Sequence, residues 1–310
     1  MTGFSIGLQL MSKEQIKQII NNHVIEDGMV ETGIKGVKLF RMTSSVRCAP
    51  AVYEPSIIAI VSGAKEAILD GHRYRYDSSQ YLCCSISMPV EAGTPTASPD
   101  NPLIGVYVSL DTKVMTELSI EMHSRATGII RQSQSTSLPL GLALSHWDNA
   151  FTEALLRLLF LIDNPVDTSI LGENRLRELY YTLLKGESGA SAQRAFGVGN
   201  EIAQSIEYLS TRLDEVITIE DMAKHVGMSR AVLHRKFKQA TSMSPIQFVK
   251  SMRLNTAAMK IATGMNVNTA AMQVGYASSS QFSREFKRLY GSSPKQWTSE
   301  HRPLDNPAYS

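Results

Sequence analysis

One pattern occurs twice in the last third of this chain. The first copy has AKHVG at residues 223–227, then Leu233, Arg235, Phe237, Lys238, Ser244, Pro245 and Phe248. The second has AMQVG at residues 271–275, then Phe282, Arg284, Phe286, Lys287, Ser293, Pro294 and Trp297. The offset is 48 up to the glycine and 49 beyond it, so one residue has been added just past the turn. A unit of this length used twice is a supersecondary motif, because a solenoid needs three or more copies to bury its faces. In the first copy Thr218 caps a helix over 219–226 with Asp221 in capping-box position, and Gly227 ends it by accepting a left-handed conformation. Ser229 caps a second helix over 230–240. In the second copy Asn266 caps, Gly275 turns and Ser278 caps. Each copy therefore predicts a helix-turn-helix.

The outward faces of the two second helices differ. The first buries Val232, Leu233 and Phe237 and presents Arg230, Ala231, His234, Arg235 and Lys238. Lys236 adds a fourth fixed positive charge, and no acid lies between residues 222 and 240. The second is expected to bury Phe282, Phe286 and Leu289 and to present Ser279, Ser280, Gln281, Ser283, Arg284 and Lys287. Such types suit duplex DNA. Arginine bonds the two acceptors of guanine, glutamine reads adenine, and lysines and helix N-termini hold phosphates. The charge is distributed accordingly. Residues 201–310 carry 14 basic and 9 acidic side chains, whereas residues 1–200 carry 17 and 20, so the net charge of +2 hides a basic end. That asymmetry predicts a polyanion partner for the C-terminal third.

The N-terminal part has another texture. Residues 12–28 place Ile16, Ile19 and Ile20 at helical spacing. Between residues 33 and 110, short β-branched runs at 37–40, 56–61, 66–69, 80–84 and 103–108 alternate with proline and glycine, which predicts a sandwich or small barrel. Asp70 and Gly71 form a hairpin turn. Residues 148–162 and 169–185 read as helices capped by Asp148 and Ser169. The first is apolar over more than half its circumference, consistent either with burial between barrel and neighbouring helix or with a dimer contact. Residues 186–199 are small and glycine-rich and read as a linker. The expected domains are 1–185, 186–199 as linker, and 200–310. No apolar run is long enough to span a membrane, and no signal peptide is evident. The three cysteines, Cys48, Cys83 and Cys84, form no disulfide framework, which predicts a cytoplasmic location.

Residues 200–300 resemble the DNA-binding domain of the AraC/XylS family of bacterial transcription regulators. The resemblance rests on the repeat, on Phe237–Pro245 and Phe286–Pro294, on RLNTAA at 253–258, and on residues 274–276 and 281–287. By position it implies base contacts from Ala231, His234 and Arg235 and from Ser279, Ser280, Gln281, Ser283 and Arg284. Ala231 departs from the pattern, since it offers a thymine methyl only apolar contact. Two units in one domain would enter successive major grooves about 34 Å apart. Residues 33–185 resemble the N-terminal domain of a subgroup of the same family, through residues 50–55, 61–65, 71–77, 81–82, 88–90, 154–159 and 177–180. This implies a two-domain α+β protein: a cupin-like β-barrel with flanking helices that senses a small molecule and dimerises through residues 148–185, and an all-α DNA-binding domain. It also implies an activator touching RNA polymerase at promoter DNA.

Catalysis finds no support. Metal-binding cupins hold their ion with a His-x-His pair, a carboxylate and a third histidine, and the seven histidines here (23, 72, 123, 146, 225, 234 and 301) include no such pair. No nucleophile elbow or phosphate loop occurs. No metal, cofactor or catalytic residue is expected. The competing readings are a barrel enzyme fused to a DNA module and a DNA binder without a ligand. Glu54, Lys65, Tyr76, Cys83 and Cys84 are the candidate effector-pocket residues. One of the adjacent cysteines should point into the barrel, where it is either a small buried hydrophobe or a thiol sensor.

Overall fold

The computed structural model describes residues 2–125, 141–187, 189–197 and 200–300, with side chains from residue 11 to residue 299. Residues 301–310, and residues 188, 198 and 199 of the expected linker, lie outside the described residues. Helix α1, Thr2–His23, begins before the expected start at residue 12 and buries Ile16 and Ile20 completely. Nine strands follow: β1 (Gly28–Glu31), β2 (Val37–Met42), β3 (Val46–Tyr53), β4 (Ser56–Ser62), β5 (Ala64–Leu69), β6 (His72–Asp77), β7 (Gln80–Cys84), β8 (Met88–Thr94) and β9 (Leu103–Ser109). Then come α2 (Thr112–Arg125) and β10 (Leu142–His146). The strands make two antiparallel sheets, β1-β2-β9-β4-β7-β10 and β3-β8-β5-β6, which are not hydrogen-bonded into a closed barrel.

Strand alternation builds two cores from the six-stranded sheet. Phe40, Ile58, Leu82 and Cys84 face the four-stranded sheet, where Tyr53, Ala67, Tyr76 and Val90 meet them. Leu39, Ile57, Tyr81 and Cys83 face the helices. These are α1, α2, α3 (Asn149–Leu159), α4 (Pro165–Lys185) and α5 (Gly189–Phe196). Phe151 of α3 stacks on Tyr81 at 4.0 Å.

The wide apolar stripe of α3 is spent on packing. Leu155, Leu156, Leu158 and Leu159 are buried, and only Phe160 past the helix end is exposed. Helix α4 starts at Pro165, not near Ser169, because Asn164 accepts from the backbone N–H groups of Val166 and Asp167 and proline suits the first turn. The segment expected as a linker contains α5. Ala192, Ala195 and Phe196 recur at helical spacing and are buried against the N-terminal core, so small residues there serve close packing.

The C-terminal part is helical: α6 (Glu201–Ser210), α7 (Ile219–His225), α8 (Arg230–Thr241), α9 (Pro245–Ala262), α10 (Val267–Gln273), α11 (Ser279–Tyr290) and α12 (Pro294–Glu300). The first unit's core, with Leu233, Phe237 and Phe248, is continuous with the core between the sheets. The second unit's core runs from Leu254 to Trp297 and, among the described residues, takes none from the β-rich part.

The bend between β4 and β5 depends on Gly63, whose φ is +76°. A Cβ there would stand 2.8 Å from Leu103 Cα and 2.9 Å from the Pro102 carbonyl oxygen. Gly63→Ala is therefore expected to destabilise the protein by about 2–4 kcal/mol in urea unfolding. A loss under about 1 kcal/mol would mean that this bend relaxes freely.

Candidate nucleic-acid interface and effector cavity

Both helix-turn-helix units are built by the local signals that the repeat predicts. Thr218 and Asp221 complete a reciprocal capping box, which holds the Asp221 carboxyl below its ordinary range. Ser229 accepts from the Val232 N–H and Ser278 from the Gln281 N–H. Gly227 and Gly275 turn with φ of +65° and +82°. The added residue lies in the second turn, where Tyr276 is buried. Its ring meets Phe282 edge-on at 5.2 Å, and its hydroxyl donates to Glu285 Oε2 at 2.8 Å.

The candidate DNA contacts lie on open faces. Arg230, Ala231, His234, Arg235 and Lys238 of α8 are exposed, as are Ser279, Ser280, Gln281, Arg284 and Lys287 of α11; Ser283 is half-buried. Two of them have protein partners. Arg230 pairs with Glu220 at 2.8 Å, and Gln281 donates to Glu285 at 3.3 Å. Lys236 turns toward α6 and meets Glu201 at 3.5 Å, so it does not extend the α8 basic face. Burial alone would raise the Glu285 carboxyl. The bonds from Tyr276 and Gln281 and the nearby Lys250 outweigh it and hold the group below its usual range.

The five candidate effector residues separate into three places. Glu54 and Lys65 line a cavity of about 510 Å³ between the β-rich part and the C-terminal helices. The opposite wall is α9, with Met252, Thr256, Met259 and Lys260. Tyr76 is buried beside it, and its hydroxyl meets that of Tyr53, itself a lining residue, at 3.3 Å. Cys84 faces the inter-sheet core and donates to the Ile86 carbonyl at 3.1 Å, while Cys83 faces the helices. Neither thiol lines the cavity. Burial pushes Cys83 up to about 12 and Cys84 well above its ordinary value, so the reactive thiolate is suppressed at both. They fit the small-hydrophobe reading.

Lys65 is the anomaly. Its side chain runs beneath two rings, with Nζ 5.5 Å from the Tyr53 centroid and 5.9 Å from that of Phe40. Burial lowers its pKa from 10.5 to about 8, and no carboxylate pairs with it among the described residues. Lys260, missed in the sequence, approaches the same cavity from α9 while donating to Gln273. No sequence signal joins residues 65 and 260, because the fold alone brings them together.

Comparison with known proteins agrees with this architecture. The family described as AraC-type transcriptional regulator N-terminus matches residues 33–191, and a helix-turn-helix domain family matches residues 222–300. The lactose operon transcription activator of Staphylococcus xylosus is 22% identical over 301 residues, covering 96% of this chain and 99% of that protein. The raffinose operon regulatory protein RafR of Pediococcus pentosaceus is 27% identical over 144 residues, which is 46% of this chain and 52% of its own length. Among solved structures, apo ToxT K231A of Vibrio cholerae superposes with a TM-score of 0.54 at 14% identity, covering 85% of this chain and 97% of that one. ToxT bound to unsaturated fatty acid gives 0.52 at 14%, covering 84% and 94%.

Arg284→Ala is expected to weaken specific binding by roughly 1–3 kcal/mol and to relax preference at one base pair. Lys238→Ala should weaken all sequences alike and reduce the salt slope by about one unit. Fluorescence titrations on matched and mismatched duplexes at several salt concentrations separate the two. An unchanged operator preference in Arg284→Ala would refute its role as a reader.

Proposed function

The chain belongs to the AraC-type family of transcriptional regulators, and from that premise we propose how it reads DNA and what it senses. Helices α8 and α11 enter successive major grooves about 34 Å apart. His234 and Arg235 read bases from the first, with Ala231 against a thymine methyl. Ser279, Ser280, Gln281, Ser283 and Arg284 read from the second. Arg230, Lys238 and Lys287 hold phosphates, Arg230 first leaving Glu220. A duplex selected from random sequence and footprinted with the pure protein would test this by the spacing of its two protected segments.

The cavity between the β-rich part and α9 is assigned to the effector, and Lys65 carries that assignment. A half-buried ammonium without a carboxylate partner is unfavourable unless something anionic completes it. The aromatic, aliphatic and methionine side chains around it suit an apolar body. ToxT, with the same fold, has been solved with an unsaturated fatty acid and with (E)-4-(8-methylnaphthalen-1-yl)but-3-enoic acid, both apolar carboxylic acids. The proposed effector class is therefore an apolar carboxylate, with Lys65 and Lys260 facing its head. This reading makes the protein a sensor, not an enzyme or a ligand-independent binder.

Dimerisation through residues 148–185 is supported by Phe160, Val166 and Ile170, which are 57%, 64% and 65% exposed. The proposed contact lies at the start of α4 and the preceding turn, where these apolar side chains are exposed, rather than along α3. Activation through RNA polymerase rests on the family. No helix among the described residues is long and apolar enough to cross a membrane. A cytoplasmic site of action is proposed with the DNA-binding role.

Sodium oleate is expected to raise the melting temperature and methyl oleate to leave it unchanged. Lys65→Met should abolish the oleate effect and raise the melting temperature of the unliganded protein by about 2–4 °C, through loss of a buried charge. The pH dependence follows from the lowered pKa. Between about 8 and 10.5 the unfolded chain keeps the Lys65 proton and the folded chain does not, so unliganded stability rises across that window. Oleate affinity should instead fall above pH 8, approaching about tenfold per pH unit, as the ammonium is lost. A protein stabilised by lactose or raffinose and indifferent to oleate would show that the cavity holds a neutral polyol.

A further inference from the structure

We propose that Asn255 and Tyr290 are positioning residues through which the β-rich part holds the second recognition helix in register with the first. This rests on the DNA-reading assignment above. Asn255 lies in the middle of α9 and is 4% exposed. A buried amide needs partners for two N–H groups and one oxygen, and this one finds all three. Its Nδ2 donates to the carbonyls of Ala51 and Val90, each at 2.8 Å. Its Oδ1 accepts from the Tyr290 hydroxyl at 2.6 Å.

These partners belong to separate bodies. Ala51 and Val90 are register partners on β3 and β8, so one nitrogen bridges a strand pair. Pro50 and Pro89 flank that pair and bring no N–H of their own. Tyr290 is the last residue of α11, and its ring packs on Phe286 at 4.5 Å within the second unit's core. The first unit already shares an apolar core with the sheets, and the Ala240 carbonyl accepts from the Gly141 N–H at 3.1 Å. Among the described residues the second unit's core takes none from the β-rich part, so the Asn255 amide supplies a polar link that apolar burial does not.

The linked arrangement leaves the reading faces open, since the α8 candidates and all the α11 candidates except half-buried Ser283 are exposed in it. We therefore assign it as the DNA-competent form. Two grooves can be read at once only if both helices keep a fixed separation and angle, and the chain of bonds from Tyr290 through Asn255 to the strands restricts that angle.

The test uses the full-length protein and a two-site operator that it selects from random duplex. Tyr290→Phe should weaken that operator by about three- to tenfold, leave a duplex holding only the α8 half-site unchanged, and lessen the penalty for one inserted base pair between half-sites. Asn255→Ala should act in the same direction and more strongly. Thermal melts of Tyr290→Phe report on folding, since only a hydroxyl is removed. Unchanged two-site affinity and spacing penalty would overturn the proposal, as would tighter binding or an equal loss on the single half-site. A wild-type protein that enriches no sequence would sink the DNA-reading assignment itself, and the proposal with it.

Discussion

Helix α9 is buried on three sides, and the arrangement of the molecule follows from that. Phe248 and Met252 complete the first unit's core, and Leu254, Ala257, Ala258 and Ile261 complete the second's. Asn255 and Met252 face the strands. A helix in contact on three sides must be narrow where bodies approach, which Ala257, Ala258 and Ala262 provide. It must also satisfy any polar group it buries, which Asn255 does. Arg253 donates to the Glu215 carbonyl at 2.6 Å, beside Gly275 of the second turn.

What was legible in the sequence was mostly local. Caps at Thr218, Ser229, Asn266 and Ser278 and turns at Gly227 and Gly275 act within a few residues, so each left a readable signal and formed where expected. The hairpin at Asp70 and Gly71 is of the same kind, with φ of +48° and +78°. Strands β3 and β8 were obscured by Pro50 and Pro89. Pro50 sits on a sheet edge, and Pro89 lies beyond the stretch where β8 pairs β5, so neither breaks a ladder on both sides. Helix α5 was hidden by a glycine- and alanine-rich composition that reads as flexible until a wall is present for Ala192 and Phe196 to pack on.

The two reading helices are unequal in a way that charge counting misses. Lys236 is drawn away to Glu201, and Arg230 is held by Glu220 without DNA, so the free α8 face is less basic than its sequence. On α11 a single acid, Glu285, gathers Tyr276, Gln281 and Lys250. Tyr276, the counterpart of Met228 in the first copy by its backbone bond to the Ala271 carbonyl, makes this possible, since its buried side chain carries a hydroxyl that reaches Glu285. Gln281 therefore starts from a defined direction, which would lower the ordering cost of the proposed base contact.

The cavity and the polar link lie on one side of one helix. Met252, Thr256, Met259, Lys260 and Thr263 recur at helical spacing along the cavity wall, and Asn255 is three residues from Met252 and four from Met259. A ligand there would touch α9 beside the amide that holds β3 and β8. It can shift the arrangement only by binding one form better than another. A ligand touching both walls binds the docked form better, because only that form has both walls. With the reading faces already open there, carboxylate and operator would favour the same state, and reciprocity requires each to tighten the other. On the proposed assignment, the unpaired Lys65 would have a physical reason to persist: an anion would relieve its stability cost in the empty protein, and that relief would add to the ligand's preference for the docked form.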